Sequence, residues 1–220
     1  MLNKSSHLEE FVNRELIIFG TGPQARLARR FFDADSSFDV VAFTADEEFL
    51  EADSFDNLPC VPFEKATSIF PPESFDLFVA IGYTDMNRLR QEKYEQALAR
   101  GYSLPSYVSS KCTFLTEHDV GENCLILEDN TIQPGVEIGN NVTLWSGNHI
   151  GHDVKISDHC FITSHVVISG FTKVGVNCFI GVNATLRDDI EIGEFTLIGA
   201  GAVIMSSTEP ESVWLPPRST

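Results

Sequence analysis

Between Val108 and Ile204 every sixth residue is apolar, and all but Phe114 are aliphatic. An α-helix returns to its buried face every 3.6 residues and a strand every 2, so a strict spacing of six belongs to neither alone. It fits a chain wound into coils, each six-residue step making one short strand and one turn. The residue after the aliphatic is often small or a turn former, as at Gly121, Gly139, Gly151, Ser157, Ser169, Gly175, Gly181, Gly193 and Gly199. Two residues before it runs a smaller column that includes Cys112, Cys124, Val136, Val142, Val154, Cys160, Val166, Thr172, Cys178, Ala184, Thr196 and Ala202. Such side chains suit the narrow corners of a three-sided prism. Eighteen residues then complete a coil, so residues eighteen apart stack and residues six apart stand on different faces. The repeat holds about five coils, and its first coil is predicted to be covered by the preceding domain.

The first hundred residues carry no such period. "ELIIFGTGPQARLARRFF" predicts a strand at 16–19, a turn at Gly20-Thr21-Gly22 and a helix burying Ala25, Leu27, Ala28, Phe31 and Phe32. "FDVVAFT" and "FDLFVAIGY" read as strands, and "LPCVPFEKA" as a short strand and turn. "TDMNRLRQEKYEQALARG" reads as a helix with Thr84 or Asp85 as N-cap and Gly101 as C′ residue. Alternating strands and helices predict a small parallel α/β sheet. The domains are placed at 1–106 and 107–206, with a tail at 207–220.

Gly20 and Gly22 stand at the strand-to-helix turn where such sheets bind phosphate. Pro23 removes a backbone donor there, and Ala25 replaces the third glycine of the dinucleotide fingerprint. The motif alone leaves a tight turn without a ligand equally open. The second strand ends in Thr44-Ala45-Asp46 without the acidic residue that would read an NAD ribose, so no redox cofactor is expected.

Charge and length narrow the class. A net charge of −17 repels a nucleic-acid backbone, and no basic run interleaved with aromatics offsets it. No apolar run approaches the roughly 18 residues a membrane helix needs, and "MLNKSSHLEE" lacks the pattern of a secretion signal. The expectation is a cytoplasmic protein. Four of the five cysteines fall in the small core column and Cys60 in the first domain, which predicts reduced structural thiols and no zinc site.

The whole chain resembles the nucleotide-sugar acetyltransferases of the bacillosamine and perosamine N-acetyltransferase type and the related sialic acid O-acetyltransferases. The residues that carry this are the GxG-type turn, "VAIGYTDMNR", and "HIGHDVKISDHCFITSHVVISGFTKVGVNCFIGVNATL". The resemblance implies an α/β Rossmann-like domain followed by a left-handed parallel β-helix, assembled as a homotrimer that holds acetyl-CoA between neighbouring coils. It implies transfer of an acetyl group to the amino group of a nucleotide-linked sugar. Gly20, Gly22, Thr44, Gly82 and Tyr83 would contact that sugar nucleotide, and Phe161, His165, Gly170, Val182 and Ala200 would contact acetyl-CoA. The family's general base corresponds to His152, with Asp153 to orient the ring. An imidazole titrating near neutrality suits an amine that must lose its proton. Gly170 lies eighteen residues on, stacked over His152, and in the resemblance its N–H polarises the thioester carbonyl. Relatives carry a second histidine where this chain has Phe161, so that its role stays open between His159 and His165, and the role of His149 is undecided too. In relatives the tail lies near the adenosine end of CoA, where Arg218 could meet a phosphate.

Three alternatives stay open. One is O-acylation of a sugar hydroxyl. Another is a gamma-type carbonic anhydrase with zinc held by histidines of adjacent subunits, although that family lacks the N-terminal domain. The last is a non-catalytic nucleotide-sugar sensor.

Overall fold

A computed structural model describes residues 14–216, so the N-terminal "MLNKSSHLEE" and Arg218 lie outside the described residues. The first domain runs β1 (Arg14–Phe19), α1 (Pro23–Asp35), β2 (Phe38–Ala45), β3 (Ser54–Phe55), β4 (Leu58–Pro62), α2 (Phe63–Ile69), β5 (Phe75–Val79) and α3 (Arg88–Ala99). Its sheet has the order β3-β4-β2-β1-β5 and is parallel except for the β3–β4 hairpin at one edge. The segment expected as a turn after "LPCVP" forms α2 instead, with Phe63 and Ala66 buried against the sheet.

From Tyr107 onward the chain makes two-residue strands in three parallel sheets, and paired residues differ by eighteen, as in His149↔Val167 and Phe161↔Phe179. These are the stacked faces of a left-handed β-helix. The aliphatic column and the small column interleave in one core, buried throughout from Cys124 to Ile204. Asn130 and Asn148 stand in that column too. Asn130 Nδ2 donates to Leu127 O and Trp145 O, and Asn148 Oδ1 accepts from Val166 N, so neither polar group is left unpaired. All five cysteines are free thiols.

Every corner needs a sharp turn, and every sixth residue from Asn123 to Gly201 has positive φ. Asn, Asp, His and Gly fill most of these positions, as residues that tolerate the left-handed region do. The period of six thus records two demands at once, an aliphatic wall and a turn that L-residues rarely make. After Ile204 the register shortens: Leu197 pairs with Val213 and Ile192 bridges Thr208, sixteen residues apart. Residues 208–214 therefore continue the last coil in a shorter form.

The first domain touches the first coil, where Asp35 at the end of α1 accepts from the Tyr107 hydroxyl at 2.9 Å and from Ser110 N–H at 2.8 Å. It lies along the seven-stranded face (strands 107–108, 125–126, 143–144, 161–162, 179–180, 197–198 and 213–214), where Tyr107, Leu125, Leu127 and Trp145 pack with α1 and the sheet. Polar anchors fix it there. Arg90, fully buried, donates to Thr143 Oγ1, His159 O and Cys160 O at 2.6, 2.8 and 3.2 Å, and burial pushes its pKa down to about 10, so it stays charged. Asn87 Nδ2 donates to Asn177 O and Cys178 O. This explains why α3 begins at Arg88 and not after Thr84 or Asp85. Residues 85–87 turn through positive φ, and the Asn87 side chain, in the cap position, makes no cap and spends its donor on the β-helix. At the other end Gly101, with φ +87, is the expected C′ residue.

Candidate active site

Three corners connect the three β-helix faces, and the candidate residues divide among them. The first corner joins the seven-stranded face to the six-stranded face (strands 113–114, 131–132, 149–150, 167–168, 185–186 and 203–204). The second joins the six-stranded face to the four-stranded one (137–138, 155–156, 173–174 and 191–192), and the third leads back to the start.

His152 and Asp153 occupy the second corner. Asp153 Oδ2 lies 2.9 Å from His152 Nδ1, and both side chains are about half exposed. A carboxylate at Nδ1 makes that nitrogen the N–H donor, which leaves the Nε2 lone pair free. Two glycines make room for the pair. A Cβ on Gly170, one coil above, would meet His152 Cε1 and Nε2 at 2.7 and 2.8 Å, and a Cβ on Gly135, one coil below, would meet Asp153 Oδ1 at 2.7 Å. The His152 backbone N–H donates to Gln133 Oε1 at 2.9 Å. Among the described residues the Gly170 N–H has no acceptor within the chain.

A cleft of about 310 Å³ opens between the first domain and the first corner, lined by Gln24, Gly82, Tyr83, Trp145, Phe161, Thr163, Ser164 and Val182. Tyr83 leans on Phe161 and Phe179, with ring centroids 5.2 and 4.7 Å away. Phe161 is buried beneath Tyr83. Gly82 and Tyr83, read as sugar-nucleotide contacts, thus share one cleft with Phe161 and Val182, read as acetyl-CoA contacts. Ser164, Val182 and Ala200 stack along this corner as a small, uncharged, outward column. His165 is exposed beside it, its ring over Gly147, where a Cβ would come within 2.6 Å.

The remaining candidates separate. Gly20 is held by packing, since a Cβ there would lie 2.8 Å from Ala80 O and its φ is +130. Gly22 has nothing within 4 Å of a Cβ, so its outer side is open. Thr44 is buried, with its hydroxyl donating to Val61 O at 2.9 Å and its carbonyl accepting from Gly20 N. His159 stands at the third corner under the first domain, in a ladder Asn123–Asn141–His159 whose links are both 2.9 Å. Burial lowers its pKa, so it is neutral there. His149 points outward from the six-stranded face. Among the described residues no three His, Cys, Asp or Glu side chains are grouped to hold a metal ion.

Residues 118–152, 137–170 and 171–206 each match the family described as "Bacterial transferase hexapeptide (six repeats)". These matches lie within the β-helix and span less than half of the chain. Solved structures share both domains. The acetyltransferase domain of PglB from Neisseria gonorrhoeae FA1090 in complex with acetyl coenzyme A is 22% identical, with 93% of this chain and 97% of that chain covered at a TM-score of 0.80. PerB from Caulobacter crescentus in complex with CoA and GDP-perosamine is 24% identical, covering 92% and 94% at 0.80. WeeI from Acinetobacter baumannii AYE is 18% identical, covering 91% and 95% at 0.77. At these identities the likeness establishes the two-domain fold. No curated protein sequence matches the chain.

Sequence reasoning found Gly170 by adding eighteen to His152. The same step from Asp153 reaches Gly135 below and Phe171 above, and both were missed. Trp145, Thr163 and Gln24 carry no signal in the repeat, because their place on the cleft depends on where the first domain docks.

Proposed function

We propose that the protein is an acetyl-CoA-dependent acetyltransferase that acylates the amino group of a nucleotide-linked amino sugar, acting as a homotrimer in the cytoplasm. The observation that carries this is the His152 imidazole, bound at Nδ1 by Asp153 and standing over the side-chain-free Gly170. The sugar amine attacks the thioester carbonyl, and Nε2 of His152 takes its proton. Gly170 N–H stabilises the oxyanion. Collapse expels the CoA thiolate, which leaves as the thiol with the proton held by His152.

The three faces support the trimer. The four-stranded face is charged and paired, with Lys155–Glu137 at 2.7 Å and Lys173–Glu191 at 2.6 Å, as a solvated face should be. The seven-stranded face carries the first domain. The six-stranded face shows Thr131, His149, Val167, Thr185 and Val203 outward, with no Asp, Glu, Lys or Arg among them and with Val167 37% and Val203 62% exposed. Turned toward a threefold axis, it brings the His152 corner of one protomer to the cleft corner of the next, which unites groups that a single chain keeps apart. The nucleotide part of the acceptor sugar then lies against Gly22 and Tyr83. PerB and PglB, which bind GDP-perosamine and acetyl coenzyme A, support this division.

The test is thiol release from acetyl-CoA with a panel of nucleotide sugars bearing free amines or only hydroxyls, with mass analysis of the product. His152→Ala should lower kcat about 10²–10⁴-fold while the trimer persists, and His165→Ala should do much less. Release by no sugar, or wild-type kcat in His152→Ala across about pH 6–9, overturns the reading.

A further inference from the structure

Two of the corner positions with positive φ carry a bulky aromatic, Phe171 at φ 60 and Phe195 at φ 54. A bulky side chain is an outlier in that region and strains the backbone. Phe195 is explained by docking, since the Arg88 guanidinium covers its ring at 4.4 Å. Phe171 is 54% exposed, and its ring partner is His152, with centroids 4.8 Å apart and planes at 85°. Its backbone N–H also donates to His152 O at 3.0 Å. An exposed apolar ring in a strained corner gains little from the core, and its one aromatic contact is the candidate base. The residues stacked with it in the corner column are Gly135, Asp153 and Asp189, so it is the one apolar side chain of a polar row.

We infer that Phe171 is a positioning and specificity residue: its ring holds the His152 imidazole over Gly170, and its open face is the wall against which the C–H face of the acceptor sugar rests. The inference rests on His152 being the base. The hydrogen bond from His152 Nδ1–H to Asp153 fixes one ring nitrogen but leaves the imidazole free to tilt, and an edge-to-face contact resists that tilt. The wall is uncharged, so it suits the carbon face of a sugar ring and leaves the amine to Nε2.

The experiment compares Phe171→Asn, Phe171→Leu and Phe171→Tyr with wild type. Asn accepts positive φ, so Phe171→Asn should melt at or above the wild-type temperature, where a purely structural Phe171 would lower it. We expect kcat to fall about tenfold or more and the KM for the sugar nucleotide to rise, with the KM for acetyl-CoA unchanged. Phe171→Tyr should restore both and Phe171→Leu only part. The His152 Cε1–H resonance, which feels the ring current of Phe171, should shift in the Asn variant. Wild-type kcat and sugar KM in Phe171→Asn, or an unmoved His152 resonance, overturns the inference. A wild-type protein that transfers no acetyl group would instead sink the assignment of the base, which separates the two failures.

Discussion

Replacing Gly170 with Ala tests the site through one methyl group. The new Cβ would stand 2.7 Å from His152 Cε1, 2.8 Å from Nε2 and 3.2 Å from Cδ2. Ordinary contact needs about 3.5 Å, so the ring must retreat by about 0.7–0.8 Å. The His152 side chain is about half exposed and can swing into solvent. Its contacts at stake are the Phe171 ring and an exposed pair with Asp153 worth under about 1 kcal/mol. Gly170 does not adopt positive φ, so Ala adds no backbone strain and narrows the unfolded ensemble by about 0.4–1 kcal/mol in favour of the fold. Stability should therefore change little, while a displacement near 1 Å at the reacting group costs about 10²-fold, or roughly 2.7 kcal/mol of barrier. Thiol release should show that loss in kcat, and thermal melting should stay close to wild type. The matched control is Gly151→Ala, whose Cβ would meet Gly170 N at 2.7 Å and Ile168 O at 3.0 Å. Those atoms are backbone and cannot step aside, so this variant should be destabilised by about 1–3 kcal/mol. The reasoning fails if Gly170→Ala keeps kcat within a fewfold of wild type, or if its loss of activity tracks a loss of melting temperature.

Three further outcomes are expected. Gly22→Leu should fold and raise only the KM for the sugar nucleotide, whereas Gly20→Ala, which collides with Ala80 O, should lower the melting temperature; steady-state kinetics with melting curves would expose the reverse pattern. Val167→Glu should place like charges around the threefold axis and give a particle near 24.4 kDa without acyl transfer, and a trimer by light scattering would contradict the assigned interface. His159 has its pKa lowered from 6.5 by burial, so below about pH 6.5 the unfolded chain binds more protons and stability falls with pH. His159→Asn should flatten the denaturation midpoint between about pH 5 and 7.5, and parallel losses in both proteins would refute this.

The sequence by itself determined the β-helix, because a period of six with a small column two residues earlier admits one way of stacking eighteen-residue coils. It also determined which residues lie above one another, so the pairing of His152 with Gly170 could be read by addition. Strands β1, β2 and β5 and their parallel sense were legible for the same kind of local reason, whereas their order in the sheet was not. Tertiary structure alone decided where the first domain sits. That placement rests on contacts between residues far apart in the chain, such as Arg90 with Thr143 and Asn87 with Asn177, which no period encodes. It overrode the expected cap of α3, buried His159 as a neutral ladder member, and built the cleft of Tyr83, Trp145 and Phe161. The strain at Phe171 was hidden likewise, since the corner φ belongs to the coil and the residue's identity to the sequence, and only their coincidence beside His152 gives the position its meaning.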